Sequence, residues 1–452
     1  MSIGGVGDRV LLPRRAPRRA PAHPGPAADR AAGRGTAAPR AGSRRPLLAL
    51  VLATWALVVV PRLLQTLTAP KFRVSVGEEG AAPTALAAAS QLALLGAVAA
   101  VCLWVLLTRL PRARADRWGS LAAALGLWGF LVFRDLYAGH VPDRASVLFP
   151  LLVLAVWVLR PALRDLAVLA WLTGLTAAVS TAVALVAPEQ GLFRSVRGEF
   201  IQPDKQLLPG GVLVGVFTQG NNLGQFLVLG LPAVVLVARR RWRLLLVVLV
   251  AAALVWSASR SSLAAFAAAA ATLLALALSG RSPALRACVS SGALAVATAL
   301  TLLLPFLTRD DAAFSNRGYI WRLSLAAWRE HLLVGHGPDH YAAVARFANP
   351  LVGTAFHGHN QVVQVLVTGG LVHLCLTGLL LVLLCRRAVA SARAGSAWPT
   401  LALVSLLVSC SLEVSFGVVD RDFLLPVTVL PLAVLLFADV PRPGRPALGG
   451  AS

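Results

Sequence analysis

Three arginines and two histidines have the chemistry from which this chain can build a reactive site. Arg260 stands in SASRSS, Arg317 and Arg322 in NRGYIWR, and His357 and His359 in HGHN. A guanidinium is a planar fork of donors that makes charge-assisted, often bidentate bonds to phosphate or carboxylate oxygens. Near a protein surface a unit-charge pair at 4 Å is worth very roughly 4 kcal/mol, so two such contacts can hold an anionic diphosphate. Arg317 and Arg322 are five residues apart, which puts them on roughly one face of a helix. Interfacial anchoring is the alternative for Arg260; for the other two it is anchoring plus pairing with Asp310, Asp311 or Glu330. A neutral imidazole takes a proton near neutral pH and, when positioned, contributes about 10²–10⁴ to a rate. A lone histidine is more often structural. A metal site is a third reading, because His357 and His359 are two apart and His336 and His340 four apart. No carboxylate accompanies these histidines in a HExxH-type signature.

Other polar residues stand where lipid should surround them. Asn221 and Asn222 interrupt an apolar run, where they either line a cavity or bond a neighbouring helix. Glu413 lies inside another run, as a functional carboxylate or a counter-ion for one of the arginines. The five cysteines show neither metal spacing nor a disulfide framework.

The elements that must position these residues follow from composition. Hydrophobic residues make up 57% and charged residues 13%, with a mean hydropathy of +0.74. Soluble domains have about 45–50% apolar and about 25% charged residues. The apolar runs are continuous, rich in Ala, Leu and Val, and close to bilayer length, which predicts helices and excludes a β-barrel. The expected fold class is all-α: a polytopic integral membrane protein with about 12 transmembrane helices.

The expected spans fall at 46–65, 85–107, 119–133, 146–159, 165–187, 211–237, 243–258, 259–278, 287–307, 359–384, 399–418 and 423–438. Residues 1–45, made of Arg, Ala, Pro and Gly, read as a disordered basic tail. The transmembrane domain is 46–438, with a long loop at 308–358, and a short tail covers 439–452. No cleavage site follows the first run, and no repeat of 20–50 residues is seen.

Charge sets the orientation. The net charge of +23 would suit nucleic acid, but the arginines sit mostly in short loops and the tail. Nucleic acid is therefore not an expected partner; membrane lipids are. With twelve spans, one side carries 27 of the 42 basic residues, and the other carries 15 with 14 of the 19 acidic ones. The basic side is cytoplasmic, which puts both termini there. The 308–358 loop, the 188–210 loop and SRSS then face outward from the cytoplasmic membrane. The stretch from Ser315 to Gly370 holds five of the eight histidines.

The order and spacing of four strings then point to a family. GVFTQGNNLGQF, SASRSSLAAF, NRGYIWRLSLAAWREHLLVGHGPDHY and HGHNQVVQVLVTGGL resemble the motifs of the O-antigen ligase and Wzy-polymerase superfamily. The resemblance covers 211–385, and the flanking spans only by topology. It implies a GT-C-like membrane glycosyltransferase that moves a glycan from undecaprenyl diphosphate to an acceptor hydroxyl on a glycan or lipid. It also implies an inverting reaction without metal or cofactor, on the outer face of the membrane. Carried onto this chain, Arg260 and Arg317 bind the diphosphate and His359 activates the acceptor; Arg322, Asn222 and Asn360 are further residues expected in the binding site. HGHN offers two histidines, and His359 is chosen because it precedes Asn360, leaving His357 as the alternative. Glu413 matches a less well defined acidic position. A 12-span transporter and a polysaccharide-export scaffold are the competing classes. The first is disfavoured by the lack of paired interrupted helices.

Overall fold

The computed structural model describes residues 43–68, 83–112, 116–142, 144–193, 206–347, 357–416 and 422–439. All lie within the compact unit Ala41–Ser452. The expected tail up to residue 42, residues 194–205 of the 188–210 loop, residues 348–356 of the long loop, and the end of the chain from 440 fall outside the described residues.

Helices α1 Arg44–Thr68, α2 Ala85–Arg109, α3 Trp118–Tyr137, α4 Arg144–Leu159 and α5 Ala167–Val186 form the first half. A single turn, α6 Pro188–Gly191, leads into β1 Leu192–Phe193, which pairs antiparallel with β2 Val212–Leu213. Then come α7 Gly220–Gly230, α8 Arg240–Trp256, α9 Arg260–Leu278, α10 Pro283–Leu307, α11 Ala313–Trp328 and α12 His340–Phe347. The last three are α13 Gln361–Arg393, α14 Trp398–Cys410 and α15 Val429–Phe437. Among the described residues, seven helical segments are long and apolar enough to cross a bilayer: α1, α2, α3, Leu163–Val186, α9, α10 and α13. Ser146–Leu159, Gly220–Leu236 and Trp398–Cys410 are apolar but shorter. The chain is an all-α polytopic membrane protein.

Several segments differ from the expected spans. The expected third span ends at 133, whereas α3 continues to Tyr137 and buries Arg134 and Asp135. Their charges neutralise each other, with Arg134 Nε donating to Asp135 Oδ1 at 2.8 Å. The expected sixth span, 211–237, opens on the β2 strand and becomes helical only at Gly220. There α7 approaches the end of α8 so closely that a Cβ on Gly220 would lie 2.4 Å from the Ser257 carbonyl oxygen. The long loop contains two helices, α11 and α12.

The core is built around α14, which packs on α9, α10 and α13. Every α14 residue except Ala402 is buried, as expected of a helix that is apolar on all faces. Ser290 and Thr400 side chains hydrogen-bond at 2.8 Å, and Thr301 Oγ1 donates to the Leu407 carbonyl at 2.6 Å, tying α10 to α14. At the far end of the bundle Arg286 donates to the carbonyls of Leu276, Ala392 and Gly395. It thereby satisfies the open C-terminal groups of α9 and α13. Arg117 and Arg387 do the same for Ala438 after α15. These arginines, counted above as markers of orientation, also stabilise helix ends.

Helix α13 is broken at Gly370, where φ is 63° and ψ is −162°. The amides freed by the break are recapped by the loop after α11: Leu371 N–H donates to Leu332 at 2.9 Å and Val372 N–H to Leu333 at 3.2 Å. In return, His336 N–H donates to the Val367 carbonyl at 2.7 Å. A Cβ on Gly370 would sit 2.2 Å from the Leu333 oxygen, so loop and helix close only around glycine. The short first half of α13, headed by HGHN, is held in place by this joint.

Candidate active site

Chain reversal at the end of α14 brings a carboxylate into the middle of the molecule. Glu413 lies three residues beyond α14, its amide bonded back to Ser409 at 3.0 Å, and only 3% of its side chain is exposed. Gln361 Oε1 pins the same turn by accepting from the amides of Ser415 at 3.1 Å and Phe416 at 2.9 Å.

Four side chains converge on Glu413. Arg317 Nη2 donates to Oε1 at 2.5 Å, and Asn221 Nδ2 donates to the same oxygen at 3.1 Å. On the other oxygen, Oε2, His359 Nδ1 lies at 3.6 Å and His357 Nε2 at 3.7 Å. The two imidazole rings are 4.0 Å apart. An isolated buried carboxylate would be very costly; a guanidinium and an amide at one oxygen offset that cost.

The segments that deliver these groups are bent. Phe314, Ser315 and Asn316 all adopt left-handed φ values of 53°, 61° and 68°, turning the chain just before Arg317. Arg317 Nη1 also donates to the Phe314 carbonyl at 3.1 Å. His359 has φ 48°, and Ala258, two residues before Arg260, has φ 51°. Of the seven described non-glycine residues with positive φ, only Arg117 and Arg160 lie elsewhere. Such conformations persist only where the surroundings impose them, and they collect at functional sites.

The two histidines are not equivalent. The His359 amide donates to His357 Nδ1 at 3.1 Å, so that nitrogen carries a lone pair, and a neutral His357 has its proton on Nε2, facing Glu413. His359 turns Nδ1 toward Glu413, and no described residue hydrogen-bonds its Nε2. A proton on His359 Nδ1 therefore leaves Nε2 able to accept another, and His357 has no such vacant nitrogen.

Asn360 is completely buried and fully engaged. Its Oδ1 accepts from the amides of Val362 at 2.8 Å and Val363 at 3.1 Å, capping α13. Its Nδ2 donates to the Thr301 and Ser411 carbonyls, both at 3.0 Å. Expected above to bind substrate, it instead ties α10, α13 and the Glu413 turn together. Replacing it with Ala is expected to cost about 1–2 kcal/mol, the upper range for a lost N-cap. Thermal unfolding in detergent measures this.

The remaining candidates separate. Arg322 forms a bidentate pair with Asp311, Nε–Oδ1 3.0 Å and Nη2–Oδ2 2.6 Å, and its guanidinium lies over Tyr319. That pair is exposed and leaves Arg322 away from Arg317's partner; the Arg322 guanidinium holds the Asp311 carboxyl below its usual range. Of the asparagine pair, Asn221 rather than Asn222 donates to Glu413. Arg260 is exposed at the first turn of α9, a helix that packs against α7, which carries Asn221. His331, His336 and His340 form a separate stack with ring centroids 4.4 and 4.7 Å apart. Within it, burial, reinforced by His336, pushes His340 down to about 4. The feature unreadable from sequence is the grouping of Glu413 and Asn221 with HGHN, since 192 residues separate the first two.

Residues 245–383 match the family model described as O-antigen ligase. That stretch is similar to O-antigen ligases. No curated protein matches the chain. The matched segment runs from α8 into α13 and contains Arg260, Arg317, Arg322, His357, His359 and Asn360. Asn221 and Glu413 lie outside it and reach the site through the fold. Glycosyl transfer is the activity that the ligase family implies, between a lipid-linked glycan and a glycan or lipid acceptor at a membrane.

Proposed function

We propose that this protein transfers a glycan from undecaprenyl diphosphate to an acceptor hydroxyl at the outer face of the cytoplasmic membrane, by ligation or polymerisation. The observation that carries this reading is the convergence of Arg317, His357 and His359 on buried Glu413. In the proposed reaction His359 Nε2 takes the acceptor proton and the hydroxyl oxygen attacks the anomeric carbon. The bond to the diphosphate breaks in line, inverting that centre. Glu413 Oε2 holds the Nδ1 side of the ring and stabilises the imidazolium that forms. Arg260 and Arg317 stabilise charge on the departing diphosphate, a contribution that is often the largest in such sites. No step calls for a metal ion. Arg317 is bonded to Glu413 in the resting protein, with Nη1 directed at Phe314, so diphosphate binding would draw its guanidinium partly toward the lipid headgroup.

The reading requires twelve crossings with both termini cytoplasmic, so α4, α7, α8, α14 and α15 must complete the bundle as short or broken spans. Reporter fusions near Arg114, Arg240 and Arg387 are expected to read cytoplasmic, and fusions near Asp204 and Asp339 external. An internal signal at Asp339 would put His359 on the wrong side of the membrane and remove the mechanism. The direct test is transfer by the purified protein from a polyprenyl-diphosphate-linked glycan. Solute movement without transfer in reconstituted vesicles would favour a carrier instead.

A further inference from the structure

We propose that Glu413 Oε2, His357 Nε2 and His359 Nδ1 form a binding site for a divalent transition-metal ion of the Zn²⁺ class, and that filling it stops transfer. The second half rests on the function proposed above; the first does not. Two imidazoles and one carboxylate are the ligand set of three-residue zinc sites that keep a fourth position open. The nitrogen donors favour a borderline ion such as Zn²⁺ over Mg²⁺, which wants near-octahedral oxygen ligands.

The spacing fits that ion. Metal–ligand distances of about 2.0–2.1 Å in a tetrahedron place ligand atoms roughly 3.3–3.4 Å apart. Here the carboxylate oxygen stands 3.6 and 3.7 Å from the two ring nitrogens, and all three atoms lie within 4.8 Å of one another. Small rotations of the imidazoles complete the set. Among the described residues no other group of three such ligands comes this close.

The carboxylate ligand is aimed by partners behind it. Arg317 and Asn221 occupy Glu413 Oε1, which leaves Oε2 to face the rings. The His359 amide bonds His357 Nδ1, which turns Nε2 inward; ligation through Nε2 moves that ring's proton to Nδ1 and gives up the amide contact. His359 Nδ1 itself is buried without a hydrogen-bond partner among the described residues. The contacts behind Glu413 orient that ligand. Arg317 also adds positive charge beside the site, so binding is weaker than at a dedicated zinc centre.

The consequence for His359 is a change of tautomer. A neutral imidazole that gives its Nδ1 lone pair to a metal must carry its proton on Nε2. That nitrogen then cannot accept the proton of an acceptor hydroxyl. The ion therefore acts as a brake, not as a cofactor.

The test uses the tag-free full chain in detergent, titrated with Zn²⁺ against a chromophoric chelator and, separately, with Co²⁺. One equivalent of Zn²⁺ is expected to bind, with Co²⁺ giving the strong visible bands of a four-coordinate site. Glu413→Gln should lower Zn²⁺ affinity at least about 100-fold, beyond the 10–100-fold of outer-contact changes. Replacing His331, His336 and His340 together with Ala should leave the equivalent bound. Zn²⁺ should inhibit transfer, EDTA should restore it, and Mg²⁺ should do nothing. Absence of stoichiometric binding, six-coordinate Co²⁺ spectra, or binding lost with the His331 stack would each overturn the site, while metal-free transfer would leave the proposed function standing. Metal binding without any transfer from a polyprenyl-diphosphate donor would overturn the proposed function instead and leave the site. Transfer that depends on Zn²⁺ would overturn the brake.

Discussion

Replacing His359 with alanine is expected to lower glycan transfer about 10²–10⁴-fold, the usual worth of a positioned general base. Donor binding should survive, because guanidinium groups rather than the imidazole hold the diphosphate. Lipid-donor binding and single-turnover transfer, measured on the same purified variant, separate these effects. His357→Ala should cost far less. It removes one neutral hydrogen bond to the His359 amide, worth about 0.5–1.5 kcal/mol, or roughly 2–10-fold. The reverse pattern, with His357→Ala inactive and His359→Ala active, would move the base to His357.

Removing Arg317 should unsettle the fold as well as the chemistry. Arg317→Ala leaves Glu413, with 3% of its side chain exposed, as a buried carboxylate without its guanidinium. Breaking such a pair by removing one partner costs about 3–5 kcal/mol. The second substitution identifies the cause. Adding Glu413→Gln removes the orphaned charge, so the double variant should recover much of the lost stability while remaining inactive. Thermal unfolding in detergent reads stability, and transfer reads activity. If the double variant is no more stable than Arg317→Ala, the ion pair is not what holds this site together. Recovery of transfer in the double variant would remove Arg317 from the diphosphate site.

The candidate site was legible in sequence to different depths. NRGYIWR and HGHN could be singled out because their basic residues fall on the side of the membrane where the charge count expects fewer of them, and Arg317 and His359 do meet at one carboxylate. Which of two adjacent residues faces the site could not be read. Asn222 was expected and Asn221 makes the contact, because a one-residue step on a helix turns a side chain by about 100°. The assignment of Asn360 to substrate failed to anticipate the cap of α13. That role depends on where the helix starts and on the carbonyls of Thr301 and Ser411, which come from other helices. Arg322 took the paired alternative with Asp311 that its sequence neighbourhood already offered.

By itself the sequence determined the helical, membrane-embedded class, because long uncharged runs can satisfy their backbone in lipid only as helices. It also determined where long spans lie, as α1, α2, α5, α9 and α10 follow the runs closely. Only the tertiary structure decided how the remaining runs are used. Hydropathy reports how apolar a segment is, not whether lipid or protein surrounds it, so α14 and α15 read as full spans although they are short and buried in protein. Only the fold, too, made Glu413 the centre of the site. Its partners Asn221, Arg317, His357 and His359 come from three separate stretches of chain. A buried charge is tolerable only where packing brings such partners within bonding distance.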